Sequence, residues 1–275
     1  MIAIPGKTFL VGEYAVLVGG EALGIATKPS FILTAENADY HSDSAAGLFC
    51  AINDIQFNSK VNNPYGMGGF GQSTAEFIFA WFKKNKKINS LTEIFNQYLN
   101  LYNSEKLINL KPSGADLVTQ IMGQITHFSN PVGKSKSVIW PFSELSFFVI
   151  STGLKIQTHE HLRQLDRNQF SELPALSQNV IKAFFSENES VFLNELKRWS
   201  EKLNNLSLQH KDVLKIKNEL ELFPKIKFVK PCGAMGADVC LVFCAKFDKH
   251  EVKNYLLSRE IKIQSDETQL AKGLL

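Results

Sequence analysis

The 275-residue sequence has no run of 18 or more apolar residues, which is about the length that a membrane-spanning helix needs. It begins Met-Ile-Ala-Ile-Pro-Gly-Lys, without the basic segment, apolar stretch and small-residue cleavage site of a secretory signal. The charge surplus is small, with 30 Lys and Arg against 27 Asp and Glu. Such a balance does not predict a nucleic-acid-binding surface. We therefore expect neither membrane nor nucleic acid as a partner, and a cytoplasmic location.

Cysteine is scarce as well, with four in the chain. None forms a Cys-x-x-Cys pair, and no His nearby completes the spacing of a zinc site. Cys240 and Cys244 lie on an apolar run, residues 239–244, and we predict that they are buried thiols in a strand. Reduced thiols agree with a cytoplasmic compartment.

Apolar residues make up 44% of the chain, and 21 of all residues are Phe, which is enough for a substantial aromatic core. Short strand-like runs and glycines dominate the first half, and longer helical patterns follow a buried strand at residues 147–150. The apolar spacing predicts helices over residues 73–84, 91–101, 175–185, 191–206, 210–223 and 249–259. It predicts strands over residues 9–11, 15–18, 23–27, 226–229, 239–244 and 261–264. Together these patterns predict an α+β chain with two lobes, residues 1–142 and 143–275.

Four glycines fall within six positions at residues 66–71, directly before Gln72, Ser73 and Thr74. Glycine allows the backbone to approach an anion closely and to adopt positive φ. A helix that begins here would present unpaired N–H groups and its positive dipole end to a ligand. The segment therefore predicts a phosphate-binding turn. The hydroxyl of Ser73 or Thr74 can cap the helix, and a hydroxyl there can also reach a magnesium ion.

Other interpretations of this segment are open. Gly66, Gly68 and Gly71 satisfy the Gly-x-Gly-x-x-Gly pattern of dinucleotide-binding oxidoreductases, although turn-forming residues precede it where that fold needs a buried strand. A Walker loop would end in Gly-Lys-Ser or Gly-Lys-Thr, whereas this segment ends in Gly-Gln-Ser. A flexible loop that only caps a helix is a further alternative.

Carboxylates accompany a second turn, Lys-Pro-Ser-Gly-Ala-Asp, at residues 111–116. We predict that Asp116 lies at the start of a helix, where it is either a cap or a general base or anchor for a substrate hydroxyl. Glu105 precedes it on a segment that can return beside it. Two carboxylates near a phosphate-binding turn predict a divalent cation, and Mg²⁺ prefers such oxygen ligands.

Two more segments carry candidate site residues. Residues 230–238, Lys-Pro-Cys-Gly-Ala-Met-Gly-Ala-Asp, form a turn of small residues that is either a hairpin loop or the lining of a ligand crevice. Lys7 stands at the start of the first strand. It is either an ordinary surface lysine or a cation aimed at a phosphate.

Taken in order, these segments resemble the GHMP kinases, the family of galactokinases, homoserine kinases, mevalonate kinases and phosphomevalonate kinases. The resemblance rests on Pro-Gly-Lys…Gly-Glu-Tyr-Ala-Val-Leu, then Gly-Phe-Gly-Gln-Ser-Thr-Ala, then Pro-Ser-Gly-Ala-Asp, then Gly-Ala-Met-Gly-Ala-Asp. It runs from residue 5 to about residue 244. It implies an N-terminal lobe of ribosomal-protein-S5-like topology and a ferredoxin-like C-terminal lobe. ATP and a small-molecule acceptor would meet between the two.

The resemblance also implies a role for each matching residue. It makes Asp116 the residue that deprotonates or orients the acceptor hydroxyl, and Lys7 the lysine that pairs with Asp116 and neutralises transferring charge. The implied ATP-binding residues are Gly68, Gly69, Gly71, Gln72, Ser73 and Thr74. The implied acceptor-binding residues are Glu13, Tyr14, Gly233, Ala234 and Asp238. The implied Mg²⁺ ligands are Ser73 and Glu105.

Within the family, the motifs are most similar to those of mevalonate and phosphomevalonate kinases. They imply transfer of the γ-phosphoryl group of Mg-ATP to mevalonate or phosphomevalonate by a monomer or homodimer. A sugar or sugar-phosphate kinase is the alternative, and an inactive relative that binds a nucleotide or metabolite is a second. The chain departs from the family's motifs at Phe70, Gln72, Met235 and Ala237.

Overall fold

The computed structural model describes residues 2–34, 44–56, 59–66, 68–103, 112–154, 167–237 and 239–275. These residues form two antiparallel sheets. The first contains β1 (Ile4–Val11), β2 (Ala22–Thr34), β3 (Lys60–Asn62), β4 (Ile125–Phe128) and β5 (Lys136–Val138). Its order is β1-β2-β4-β5, and β3 pairs with the end of β2. The second contains β6 (Leu145–Ser151), β7 (Ile226–Cys232), β8 (Val239–Ala245) and β9 (Ile263–Asp266), in the order β7-β8-β6-β9.

The described helices are divided between the two sheets. Those before β6 are α1 (Ala45–Ile52), α2 (Gln72–Asn85), α3 (Leu91–Leu101) and α4 (Ala115–Met122). Those after it are α5 (Leu173–Phe185), α6 (Glu189–Asn205), α7 (Lys211–Glu221) and α8 (Lys249–Ser258). Several begin at side-chain caps of the expected kind, such as Ser44, Ser90 and Asn188. In the described part of the chain, no helix has both the length and the hydropathy to cross a bilayer.

The α+β class and the two-lobed architecture predicted from the sequence are confirmed. Cys240 and Cys244 are buried free thiols on β8, as predicted. The predicted strand at residues 15–18 is wrong, because Ala15–Val18 is a 3₁₀ helix. Its ends explain the difference: Tyr14 has φ 71° and Gly19 has φ 84°, and backbone in the left-handed region cannot continue a strand.

The largest apolar cluster of the described residues contains side chains of both lobes and most of the buried phenylalanines. Trp140, from the connection between the two sheets, contacts the rings of Phe147, Phe184 and Phe243. Every residue of β1 is buried. The lobes are therefore packed against one another through side chains as well as joined by the chain.

Residues 270–274 leave the second lobe and pair with the first. The Gln124 N–H donates to the Ala271 carbonyl at 2.7 Å, and the Ala271 N–H donates to the Ala26 carbonyl at 2.9 Å. The Leu274 N–H donates to the carbonyl of Ile121, near the end of α4, at 2.7 Å. Gly123 permits this approach, because its φ is +75° and a Cβ there would lie 2.1 Å from the nitrogen of Gly273.

We expect Gly123→Ala to destabilise the protein more than Gly19→Ala does. Both glycines have positive φ, but a Cβ at Gly19 would meet nothing within 4 Å. Gly19→Ala should therefore cost only the left-handed backbone penalty, about 1–2 kcal/mol. Gly123→Ala should add about 1–3 kcal/mol, because the new methyl displaces residues 272–273 and because φ 75° with ψ −175° is a conformation nearly confined to glycine. Urea unfolding measures the two free energies, and equal losses would contradict the role of this contact.

Candidate active site

Lys7 joins three elements at one point. It lies on the buried strand β1, and its side chain is 9% exposed. Its ammonium Nζ lies 2.9 Å from Oδ1 of Asp116, on α4. Its backbone N–H donates to the Phe70 carbonyl at 3.0 Å. The strand therefore holds the glycine turn, residues 66–71, and the start of α4 next to each other.

A tight bend places Asp116 in the first turn of α4, as the sequence predicts. Gly114 precedes the helix with φ 79°, and a Cβ there would lie 2.4 Å from the ring of Phe95. The Ser113 hydroxyl accepts the N–H of Ala115 at 3.2 Å and so stabilises the bend. The side chain of Asp116 is 36% exposed and can reach a ligand.

The glycine turn leads directly into α2. Gly69 and Gly71 have φ 87° and 82°, and Gly71 is the N-cap of the helix. A Cβ at Gly71 would lie 3.0 Å from Cγ of Lys7, so only glycine leaves the turn this close to β1. Phe70 is buried and stacks on Tyr65 with ring centroids 3.8 Å apart. This stacking packs the glycine turn against the core.

The three side chains that follow the turn differ in whether their polar groups are free to bind a ligand. Gln72 accepts a hydrogen bond from Asn63 and donates one to Glu76, each at 2.9 Å. Thr74 is buried, and its one hydroxyl hydrogen is shared between the Gly71 carbonyl, at 2.9 Å, and Oε1 of Gln120. Ser73 is exposed and makes no side-chain hydrogen bond to the described residues. Of the three, Ser73 is therefore the one whose hydroxyl is available to a ligand.

Glu13 and Tyr14 connect the first lobe to the second. The Glu13 carboxylate forms a buried ion pair with Lys230 on β7. Its other oxygen, Oε2, is buried without a hydrogen-bond partner among the described residues. The Tyr14 hydroxyl accepts the N–H of Met235 at 3.0 Å. Burial raises the pKa of Tyr14 to about 12, so the phenol stays protonated at neutral pH.

Lys230 is fully buried and takes its charge state from its neighbours. Burial alone opposes the charged ammonium, but the Glu13 carboxylate outweighs it and raises the pKa of Lys230. The ammonium also donates to the Pro231 carbonyl at 3.1 Å and lies 3.5 Å from the Phe9 carbonyl. An ammonium with these partners compensates the charge of Glu13 at the lobe interface.

The last motif forms a tight turn at residues 233–236, in which the Gly236 N–H donates to the Gly233 carbonyl at 3.0 Å. Met235 adopts φ 55°, a conformation that glycine takes more easily. Ala234 lies in the short 3₁₀ helix Ala234–Gly236 of this turn. Glu105 and Asp238 lie outside the described residues, so their predicted roles stay predictions.

Sequence reasoning missed Gln120 and two tyrosines. Gln120 is fully buried on α4 and donates to the carbonyls of Pro5 and Gly71. Tyr98 and Tyr102, on and just after α3, have hydroxyls 3.3 Å apart. Burial raises the pKa of both, and the negative charge of Asp116 adds to the shift. The only available signal for Gln120 was a polar residue on the buried side of a helix, one turn after Asp116.

The dinucleotide-binding alternative is contradicted. That fold needs a parallel sheet with a buried strand directly before its glycine loop. Every strand pair in the described part of the chain is antiparallel. The strand that precedes Gly66 is β3, three residues long and paired only with the end of β2.

No protein-family model matches the sequence, and no curated protein matches it significantly. Solved structures match it over almost its whole length. The mevalonate kinase of Methanococcus jannaschii superposes with a TM-score of 0.69 at 15% identity, covering 98% of each chain. Streptococcus pneumoniae phosphomevalonate kinase, in complex with phosphomevalonate and AMPPNP, gives 0.71 at 14% identity, covering 97% of this chain and 99% of that one.

The galactokinase of Lactococcus lactis, complexed with galactose, gives a TM-score of 0.73 at 10% identity, covering 98% of this chain and 93% of that one. This chain has the GHMP kinase fold. These kinases are at most 15% identical to the chain, so the likeness concerns the fold and leaves the acceptor open.

We expect Lys230→Met to cost about 3–5 kcal/mol in the free energy of unfolding, because it leaves the buried Glu13 carboxylate without a countercharge. Adding Glu13→Gln should recover part of that loss. Lys225→Met is the control, since the Lys225 ammonium pairs with Asp248 and Glu251 at the surface and should contribute little. Chemical denaturation of the three variants tests this, and equal effects of the two lysine substitutions would contradict it.

Proposed function

We propose that the protein is an ATP-dependent small-molecule kinase of the GHMP type whose acceptor is mevalonate or phosphomevalonate. The observation that carries this proposal is the double contact of Lys7. Its ammonium pairs with Asp116 and its backbone holds the glycine turn. A phosphate-binding turn, a cation and a carboxylate are thereby adjacent, which is the set of groups that phosphoryl transfer needs.

In this proposal each group acts through position and charge. The N–H groups of the glycine turn and of the first turn of α2 bind the phosphates of ATP. The Lys7 ammonium neutralises negative charge on the transferring phosphoryl group. The Asp116 carboxylate orients the acceptor hydroxyl and takes its proton. Positioning of this kind supplies most of the rate in phosphoryl transfer.

Magnesium fits the same site. Ser73 presents an exposed hydroxyl in the first turn of α2 that no described side chain engages, and Mg²⁺ takes hydroxyl and carboxylate oxygens together with those of phosphates. Ser73 and Glu105 are the proposed ligands. When bound, Mg²⁺ supplies charge neutralisation on the phosphates.

We place the acceptor between the lobes, beside Glu13, Tyr14 and the turn formed by residues 233–236, with Asp238 following it. Glu13 and Tyr14 reach the second lobe through Lys230 and Met235, so this surface contains residues of both lobes. A cytoplasmic monomer or homodimer is the expected form.

A sugar kinase is the second candidate. It is favoured by the TM-score of 0.73 with the galactokinase, which is as high as those with the mevalonate and phosphomevalonate kinases. An inactive nucleotide-binding relative is less well supported, because a protein that only binds nucleotide has little use for the Lys7–Asp116 pair.

A coupled ADP-release assay with Mg-ATP over mevalonate, phosphomevalonate and a panel of sugars distinguishes these candidates. We expect turnover with one of the first two acceptors. Turnover with a sugar alone would replace the proposed acceptor. Nucleotide binding without ADP release on any acceptor would support the inactive relative.

We expect Asp116→Asn to retain ATP binding and to lower kcat by roughly 10²–10⁴, since the amide cannot take the hydroxyl proton. Asp212→Asn is a matched control, because Asp212 also lies in the first turn of a helix, α7, and is not part of the site. Steady-state kinetics and calorimetric nucleotide titration measure both effects. Wild-type kcat in Asp116→Asn would rule out this role.

A further inference from the structure

We propose that Gln120 is a positioning residue that fixes the orientation of the glycine turn relative to Asp116. The inference rests on the proposed kinase function, because it concerns the same phosphate-binding turn. Gln120 lies outside the four sequence motifs that resemble the family.

Gln120 uses both ends of its side-chain amide. Its Nε2 donates to the Pro5 carbonyl at 2.8 Å and to the Gly71 carbonyl at 3.1 Å. Its Oε1 accepts a hydrogen bond from the Thr74 hydroxyl. The side chain is fully buried, so these bonds form without competition from water and leaving one unmade is costly. One residue of α4 thus binds β1, the glycine turn and α2.

These contacts close a ring with the Lys7–Asp116 pair. Asp116 and Gln120 are four residues apart on α4 and lie on the same face of the helix. Pro5 lies two residues before Lys7 on β1, with a register shift between Pro5 and Gly6, and it faces Gln120 through its backbone carbonyl. Lys7 contacts Asp116, and Pro5 contacts Gln120. Two contacts, one helical turn apart on α4, therefore join α4 to β1.

Two consecutive carbonyls of the glycine turn accept hydrogen bonds from these residues of β1 and α4. The Phe70 carbonyl accepts the Lys7 N–H, and the Gly71 carbonyl accepts the amide of Gln120 in addition to the Ala75 N–H and the Thr74 hydroxyl of α2. In a planar trans peptide, the carbonyl and the following N–H point in opposite directions. Because both carbonyls face the protein, the N–H groups of Gly71 and Gln72 face away from it. This is the orientation that an anion at the helix N-terminus requires.

Only an amide of this length satisfies all three partners. Leucine would leave the Pro5 carbonyl and the Thr74 hydroxyl without this partner. An ionised glutamate would place an oxygen against the carbonyls of Pro5 and Gly71, which repel it. Burial and these carbonyls would raise the pKa of a glutamate at this position. Its protonated form, which can donate one hydrogen bond, would then be populated as the pH falls.

The decisive experiment measures kcat and both KM values for Gln120→Glu and Gln120→Leu between pH 6 and pH 8.5, relative to wild type at each pH. At high pH we expect Gln120→Glu to raise the KM for ATP and lower kcat by ~10-fold each, with the acceptor KM unchanged, because the phosphates are misaligned. The defect should shrink toward pH 6 in Gln120→Glu and stay constant in Gln120→Leu. Gln120→Glu is isosteric, so its pH-dependent KM and kcat decide the question if Gln120→Leu does not fold.

Thr126→Val is the matched control. The buried Thr126 hydroxyl donates to the Gly123 carbonyl at 2.9 Å, beyond the opposite end of α4 from Asp116. This variant should lower the melting temperature without changing either KM. If the Gln120 variants show the same pattern, with unaltered KM values and no pH-dependent recovery, Gln120 is only structural and the inference is wrong.

Titration with AMPPNP separates this inference from the proposed function. If wild type turns over no acceptor but binds AMPPNP, and the Gln120 variants bind it ~10-fold more weakly while Thr126→Val does not, the kinase proposal alone fails. If all variants bind AMPPNP like wild type, the positioning role alone fails. If wild type does not bind AMPPNP, both fail.

Discussion

The ion pair between Lys7 and Asp116 is the interaction on which the site depends. The Lys7 side chain is 9% exposed, and its ammonium requires a nearby countercharge because an unpaired buried charge is strongly unfavourable. Asp116 supplies it from the first turn of α4. Since Lys7 also holds the glycine turn through its backbone, β1 places the Asp116 carboxylate and the glycine turn next to each other. The geometry of the site is therefore a property of the strand as much as of the loops.

A second ion pair defines how the two lobes meet. Glu13 and Lys230 are both buried, and a pair of this kind contributes less to net stability than its Coulomb attraction suggests, because both charges lose water. A mispaired arrangement of the lobes would leave either charge alone. We therefore interpret the pair as a specificity device that favours one relative placement. The hydrogen bond from the Met235 N–H to the Tyr14 hydroxyl favours the same relative placement of the lobes.

Local patterns predicted much of this structure, and distant contacts account for the rest. The glycines before α2 and α4 could be identified because positive φ and helix starts are properties of short segments. Residues 15–18 were mispredicted because the turn at Tyr14 depends on contacts with the second lobe, which no local pattern records. Gln120 was missed for the same reason, since its partners at Pro5 and Gly71 are far away in sequence. The pairing of Lys7 with Asp116 came from the family resemblance and not from spacing.

Residues 270–274 give the molecule an unusual order of assembly. They complete the hydrogen bonding around Gly123 and Ala26, so the first lobe reaches its final state only after the second lobe's strands have been synthesised. Contacts between such distant parts of a chain slow folding, because a long loop must close before they form. The two lobes are thus interleaved, and a fragment cut between them would lack part of the backbone pairing of the lobe that carries the glycine turn.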